Sequence, residues 1–173
     1  MVKLFMGCLL VALSSVAWGQ VKPGDDAPAF KVQDVSLEDY KGEQAVLLMF
    51  SAIGCGYAVA ELPVAQEVQE ADLGIAVLVI NLERGRDNAA LAEWKEERKM
   101  TFTAVADQQL ASGKAYGARH TPTFVLIDKQ GKVLGVYEGS GAGIREAVVA
   151  DAKQLAKEGK VARDEIVLGP GKG

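Results

Sequence analysis

The chain has 173 residues, with 19 lysines and arginines against 23 aspartates and glutamates and a formal net charge of −4. Apolar residues make up 49% and charged residues 24% of the sequence, which is typical of a globular domain and excludes disordered, collagenous and coiled-coil classes. The acidic balance and the scattered basic residues argue against a nucleic-acid partner or a polybasic membrane patch. Two cysteines are too few for a disulfide framework or a four-ligand zinc site.

Residues 1–19 have the pattern of a secretory signal peptide. Lys3 provides a positive charge, residues 4–16 form a short apolar run, and small residues stand three and one positions before a predicted cleavage point after Gly19. The run is shorter than the roughly 20 apolar residues of a membrane-spanning helix. We therefore predict an exported protein, periplasmic or extracellular and free of the membrane after cleavage. An uncleaved anchor and lipidation at Cys8 are the alternatives.

Signal-peptide cleavage would change the cysteine chemistry of the chain. It removes Cys8 and leaves Cys55 as the one cysteine of the exported protein. Disulfides form in that compartment. An unpaired thiol there indicates a reactive group or an intermolecular partner.

The predicted mature domain, residues 20–158, alternates strands with helices after an extended lead-in. Strands are predicted at residues 44–50, 75–81, 102–106, 123–128 and 132–137, and helices at residues 58–73, 87–99, 108–116 and 141–158. The first two strands are continuous apolar runs, typical of central strands buried on both faces. This order predicts an α/β fold with a mixed sheet covered by helices on both faces. Residues 159–173 show little apolar periodicity and are predicted to form a flexible tail.

Cys55 is the candidate nucleophile because it lies between the first predicted strand and the helix that follows. Unpaired N–H groups and the positive end of the helix dipole at such a junction favour the thiolate, which is the nucleophilic form. Gly54 and Gly56 allow the loop to bend tightly and leave the sulfur accessible. The alternative is a buried, inert cysteine.

Two segments of the chain resemble exported thioredoxin-fold proteins of the TlpA/ResA-like and redoxin (AhpC/TSA-like) groups. Residues 50–63 are similar to the active-site loop and kinked helix of these proteins, and residues 116–131 are similar to their cis-proline strand and hairpin. The resemblance covers residues 22–158 and implies a thioredoxin-like three-layer fold. It also implies that Cys55 is the attacking thiol and that Pro122 is cis and packs beside it.

The sequence departs from the family pattern at the second active-site position. The usual Cys-x-x-Cys dithiol is here Cys55-Gly-Tyr-Ala58, so the thiol that would resolve a mixed disulfide has to come from outside the chain. Leu48 and Ala52 occupy the positions at which peroxiredoxins carry their peroxide-activating Pro and Thr or Ser. A single cysteine is a poor copper or zinc site, and no metal or cofactor is predicted.

Other residues of the two segments are candidates for binding or proton transfer. The predicted substrate-binding residues are Gly54, Gly56, Tyr57, Thr121 and Pro122. The Thr121 backbone would pair with a bound thiol substrate, as the resemblance implies, whereas Tyr57 has helix-start packing as its alternative. His120 and Glu61 are candidate proton-transfer groups, and the alternative for both is a solvated side chain.

Three functions follow from these residues. The leading hypothesis is a thiol-disulfide exchange protein that uses Cys55 alone, with protein or low-molecular-weight thiols and disulfides as partners and an external thiol as reductant. The second is a one-cysteine thiol peroxidase, in which Cys55 is oxidised to a sulfenic acid. The third is a non-catalytic thioredoxin-fold binding module.

Overall fold

The computed structural model describes residues 19–170. The predicted signal-peptide features and Cys8 therefore lie outside the described residues. The strands are β1 (Lys31–Val32), β2 (Val35–Ser36), β3 (Ala45–Ser51), β4 (Ile75–Asn81), β5 (Thr103–Ala106), β6 (Thr123–Ile127), β7 (Val133–Glu138) and β8 (Val167–Leu168). The α-helices are α1 (Gly56–Glu70), α2 (Asn88–Glu97), α3 (Ala111–Ala115) and α4 (Ala142–Glu158). A short 3₁₀ helix covers Leu37–Asp39.

The central sheet has six strands in the order β5-β4-β3-β6-β7-β8. Strands β3, β4 and β5 are parallel to one another, β6 is antiparallel to both β3 and β7, and β8 is parallel to β7. The predicted mixed sheet is therefore confirmed. Because β3 and β4 run side by side in the same direction, their carboxyl ends meet at one edge of the sheet, which is where the chain turns into α1.

Each face of the sheet carries its own apolar core, so the three-layer architecture is confirmed. Alternate residues of β3 point to opposite faces. Leu47 and Met49 join the core that α1 and α4 cover, whereas Leu48 and Phe50 join the core on the other face. The segment before β3 and Tyr116, which follows α3, cover this second face.

Helices α1, α2 and α3 have different bounds from those predicted, whereas α4 ends at Glu158 as predicted. Helix α1 starts at Gly56, two residues earlier than predicted, because Cys55 is already its N-cap. Helix α2 begins at Asn88, and the Asp87 side chain caps it by accepting a hydrogen bond from the Ala90 N–H at 2.9 Å. Helix α3 has only five residues, fewer than the range predicted for it.

Residues 160–170, which belong to the segment predicted to form a flexible tail, contact the domain in the structure. Strand β8 pairs in parallel with β7, and Arg163 binds the buried carboxylate of Asp151 through two of its nitrogens at 2.6 and 3.0 Å. The Tyr137 hydroxyl donates to the same carboxylate at 2.5 Å. Apolar periodicity does not report such contacts, because they depend on partners in β7 and α4.

Segments near both ends of the described chain contact strand β7. The Gly24 N–H donates to the Val133 carbonyl at 2.8 Å, and the Val133 N–H donates to the Asp25 carbonyl at 3.0 Å. The beginning of β7 therefore pairs with the lead-in, and its end pairs with β8. Within residues 19–170, the helices are all too short or too polar to cross a membrane.

Candidate active site

Cys55 lies at the carboxyl edge of the sheet, between the end of β3 at Ser51 and the start of α1 at Gly56. It is the N-cap of α1 and has extended backbone angles, with φ −92° and ψ 113°. Its carbonyl accepts the helical hydrogen bond from the Val59 N–H at 2.9 Å. Because a helix leaves its first N–H groups without intrahelical partners, the sulfur faces donors that can stabilise a negative charge.

The surroundings of Cys55 favour its thiolate. The backbone N–H of Ala58 lowers the pKa of the Cys55 thiol below its ordinary value, and the Thr121 side chain and the Tyr57 N–H act in the same direction. Partial burial opposes them but does not reverse the direction. The positive end of the α1 dipole adds to the same stabilisation. These contacts favour the ionised form of Cys55, and its reactivity stays a prediction.

Thr121 lies beside the sulfur and is followed by Pro122. The Cys55 thiol points to the Thr121 carbonyl at 3.8 Å, and the Thr121–Pro122 peptide bond is cis. The Pro122 side chain is buried, and its carbonyl accepts a hydrogen bond from the Gly139 N–H at 3.0 Å. This loop is therefore fixed to the end of β7 as well as to β6.

Two side chains from the end of β4 and the loop after it hold the backbone just before Cys55. The Asn81 Oδ1 accepts from the Ile53 N–H at 3.1 Å, and a Glu83 carboxylate oxygen accepts from the Gly54 N–H at 2.7 Å. A Cβ atom at Gly54 would lie 2.9 Å from the other Glu83 oxygen, so a side chain at this position would displace the Glu83 carboxylate. Asn81 and Glu83 were not among the predicted site residues. They join the site because parallel strands β3 and β4 end at the same edge, a pairing that the structure provides.

The candidate binding residues around Cys55 differ in exposure. Tyr57 is 67% exposed, so helix-start packing is not its environment. Gly56 is exposed, and a Cβ atom there would meet nothing within 4 Å. His120 is also exposed, and its backbone carbonyl accepts from the Thr123 hydroxyl at 2.8 Å. The structure thus brings Tyr57 and Gly56 to the surface beside the thiol.

The solvated position considered for Glu61 is wrong. The Glu61 side chain is 0% exposed and forms an ion pair with Arg145 of α4. Its Oε2 accepts from the Arg145 Nε at 2.8 Å, and its Oε1 accepts from the Gly141 N–H at 2.9 Å. A partner 84 positions away in the chain cannot be read from helical periodicity, which explains the error. Both carboxylate oxygens are engaged in holding α1 against the start of α4.

A groove of about 630 Å³ opens beside this site on the α3 side of the sheet. Thr121 lines it together with Ala52, Leu82, Leu110, Lys114 and Arg119. Within residues 19–170, no group of three or more His, Cys, Asp or Glu side chains is arranged to hold a metal ion. Cys55 is a free thiol in the structure.

Comparison with known proteins gives a matching family model and similar thiol-disulfide oxidoreductases. The family model described as Redoxin matches residues 22–155. A thiol-disulfide oxidoreductase ResA from Geobacillus thermodenitrificans is 32% identical over 127 residues, which cover 69% of this chain and 71% of the relative.

Two crystal structures share the architecture. The thioredoxin domain of a thiol-disulfide oxidoreductase from Bacteroides vulgatus is 25% identical, with a TM-score of 0.63, and the match covers 75% of this chain and 96% of that domain. An uncharacterized conserved protein from Geobacillus kaustophilus is 22% identical, with a TM-score of 0.72, and the match covers 84% of this chain and 87% of that one. The second likeness concerns the fold alone.

Proposed function

The chain belongs to the redoxin family, and we propose that it is an exported thiol-disulfide oxidoreductase. In this proposal it works through a single thiol, Cys55. The observation that carries the proposal is the position of the Cys55 sulfur at the start of α1, where the Ala58 N–H and Thr121 favour the thiolate. Ala58 itself provides no second thiol. Residues 20–173 therefore have the attacking group of a disulfide-exchange site without a second thiol to resolve the mixed disulfide.

The proposed reaction has two exchange steps. In the first, the Cys55 thiolate attacks one sulfur of a disulfide R–S–S–R′, so that a Cys55–S–S–R bond forms and R′–S⁻ leaves. In the second, an external thiolate R″–S⁻ attacks the R sulfur, which gives R–S–S–R″ and returns Cys55 as a thiolate. Each step breaks one S–S bond and forms another. The electron pair of the incoming thiolate balances the one that the leaving thiolate carries away.

We assign substrate contacts to the residues at the surface of the site. The Thr121 backbone, adjacent to the sulfur, and the Pro122 loop would hold the substrate chain. Tyr57 and Gly56 are exposed on the α1 side, where they can contact the leaving half of the disulfide, while Gly54 shapes the turn.

Proton transfer is assigned to one of the two candidates. His120 stays the candidate because it is exposed two residues before Pro122. Glu61 has both oxygens bound by Arg145 and Gly141, so we assign it a positioning role. Export is supported by the pattern of residues 1–19.

The test is the formation and release of a mixed disulfide on the full chain. Incubation with glutathione disulfide should give a glutathione adduct that peptide mapping places on Cys55. Added dithiothreitol should then remove it. A Cys55→Ser variant is the matched control and should give no adduct at this position. Absence of the adduct, together with an alkylation rate typical of an ordinary thiol, would overturn the proposal and favour a binding module.

Hydrogen peroxide separates the proposed exchange from peroxidase activity. Ala52 stands where peroxiredoxins carry their Thr or Ser, so the chain has no hydroxyl at that position for peroxide activation. We expect peroxide consumption with a thiol reductant to equal that of Cys55→Ser. Consumption well above this control would assign the chain to the peroxidases instead.

A further inference from the structure

The groove beside Thr121 has a chemical character of its own. Leu82 and Leu110 give it apolar walls, and Lys114 and Arg119 are exposed at its rim. Within the part of the chain that the structure describes, the lining residues include no acidic side chain, and neither Lys114 nor Arg119 forms an ion pair. Two cations are therefore available to a ligand at the same opening.

The groove and the reactive thiol share residues. Thr121 lines the groove, and its carbonyl lies 3.8 Å from the Cys55 sulfur. Ala52 also lines the groove, and its carbonyl accepts from the Cys55 N–H at 2.9 Å. The groove therefore borders the residue whose carbonyl faces the sulfur and the loop that leads to Cys55, while Cys55 itself is not one of its lining residues.

Size and charge together define the class of ligand. The volume of about 630 Å³ lies within the ~300–1,000 Å³ that is typical of small-molecule sites. Exposed ammonium and guanidinium groups bind carboxylates, and the planar guanidinium does so with two parallel hydrogen bonds. A neutral or cationic thiol would leave both cations unused.

We propose that this groove is a binding site for the carboxylate-bearing half of a low-molecular-weight disulfide, with Lys114 and Arg119 as the specificity-determining residues. The inference rests on the proposed function of Cys55 and adds its substrate class. In the exchange, the half that remains bonded to Cys55 lies in the groove with its carboxylate at Lys114 and Arg119, and the other half leaves as a thiolate. An incoming thiolate then attacks the bound sulfur and carries that half away as a new disulfide.

Rates of Cys55 adduct formation with two disulfides test the charge preference. The anionic probe is glutathione disulfide and the neutral probe is 2-hydroxyethyl disulfide, and the measured quantity is the ratio of their rates. Lys114→Gln and Arg119→Gln should each lower this ratio about two- to fivefold, the range for exposed charge pairs at low salt. Lys157→Gln is the matched control, because Lys157 is exposed on α4, which packs on the opposite face of the sheet.

A binding measurement on Cys55→Ser separates this inference from the proposed function. S-methylglutathione, which cannot exchange, should shift the amide resonances of Gly117 and Ala118 in the groove, and the double variant of Lys114 and Arg119 should weaken that binding. If S-methylglutathione binds but the unmodified chain exchanges no disulfide, the proposed exchange function is wrong and the groove proposal stands. If the double variant and the unmodified chain exchange with the same ratio of rates for the two disulfides, the groove proposal is wrong and the exchange function stands.

Discussion

The carboxylate of Glu61 and the guanidinium of Arg145 face each other in a two-pronged ion pair between α1 and α4, with N–O distances of 2.8 and 3.0 Å. Glu61 is 0% exposed and Arg145 is 49% exposed. Without its partner Glu61 would be a buried charge, whereas Arg145 would still contact water. Gly141, which binds the same carboxylate, belongs to the turn whose Gly139 N–H holds the Pro122 carbonyl. The pair therefore links α1, which begins at Cys55, to the loop on the other side of the thiol.

This unequal burial predicts unequal effects on stability. Glu61→Gln should lower the free energy of unfolding by about 2 kcal/mol, since it removes charge-assisted hydrogen bonds and leaves Arg145 free to reach water. Arg145→Gln should cost more, because it leaves a fully buried carboxylate without its cation. Urea denaturation of both variants measures the difference. Equal losses, or a smaller loss for Arg145→Gln, would contradict this interpretation of the pair.

Cys55 should react as a thiolate at lower pH than an ordinary thiol. Its lowered pKa arises first from the Ala58 N–H and then from Thr121, so the midpoint of iodoacetamide alkylation against pH should lie below the ~8.5 of a free cysteine. Thr121→Val should move the midpoint upward, whereas Thr121→Ser keeps the hydroxyl and should move it less. Identical midpoints in both variants would exclude the Thr121 hydroxyl as a cause.

The same shift has a consequence for stability. The pKa of Cys55 is lower in the folded chain than in the unfolded chain, so ionisation stabilises the fold above the ordinary thiol pKa. This contribution disappears as the pH falls through the pKa of the folded chain. The stability difference between the chain and Cys55→Ser should therefore change in favour of cysteine as the pH rises. A difference that is independent of pH would contradict a lowered pKa.

Ala58→Cys should convert the single-thiol site into a dithiol site. The new thiol would lie one helical turn after Cys55, within the range of i,i+3 neighbours, and could release a mixed disulfide without an external thiol. The release rate of the glutathione adduct should therefore become independent of dithiothreitol concentration. Ala58→Ser is the matched control, since it adds a similar volume at a residue that is 0% exposed. Release that still follows dithiothreitol in the cysteine variant would show that position 58 cannot resolve the adduct.

The two glycines beside Cys55 should respond differently to the same substitution. Gly54→Ala places a Cβ atom 2.9 Å from a Glu83 oxygen and should break the contact that holds the loop, with a loss of about 1 kcal/mol and slower alkylation of Cys55. Gly56→Ala meets open space at the first position of α1 and should be neutral or stabilising by up to ~1 kcal/mol. Thermal unfolding and alkylation rates measure both. If Gly54→Ala and Gly56→Ala have the same thermal stability and the same alkylation rate, the contact between Glu83 and Gly54 does not hold the loop.

Arg163 should contribute to stability although it lies in the segment after α4. Arg163→Gln weakens the partnering of the buried Asp151 carboxylate and should cost about 1–3 kcal/mol. Lys160→Gln changes an exposed charge in the same segment and should have little effect. Denaturant unfolding compares the two, and equal stabilities would mean that this segment is not docked in solution.

Most of the fold could be predicted from local patterns. The apolar runs of β3 and β4 and the position of Cys55 before α1 are encoded by neighbouring residues, so these strands and the strand-to-helix position of Cys55 follow from the sequence. Glu61 was misjudged because its partner, Arg145, lies in another helix. Asn81 and Glu83 become site residues only once β3 and β4 are placed side by side. Long-range pairing and burial decide these positions, and a single sequence carries no local sign of them.

The two-residue strand β8 also covers a sheet edge at which copies of the domain could otherwise pair. An unpaired strand at the edge of a sheet is a template for another chain, and proteins suppress this by covering or shortening the edge. Here the end of β7 is occupied by β8 and its beginning by residues 24–26. A chain cut before Val167 would expose the backbone groups of Tyr137 and Glu138, and self-association through that edge would follow from the loss of only two residues of pairing.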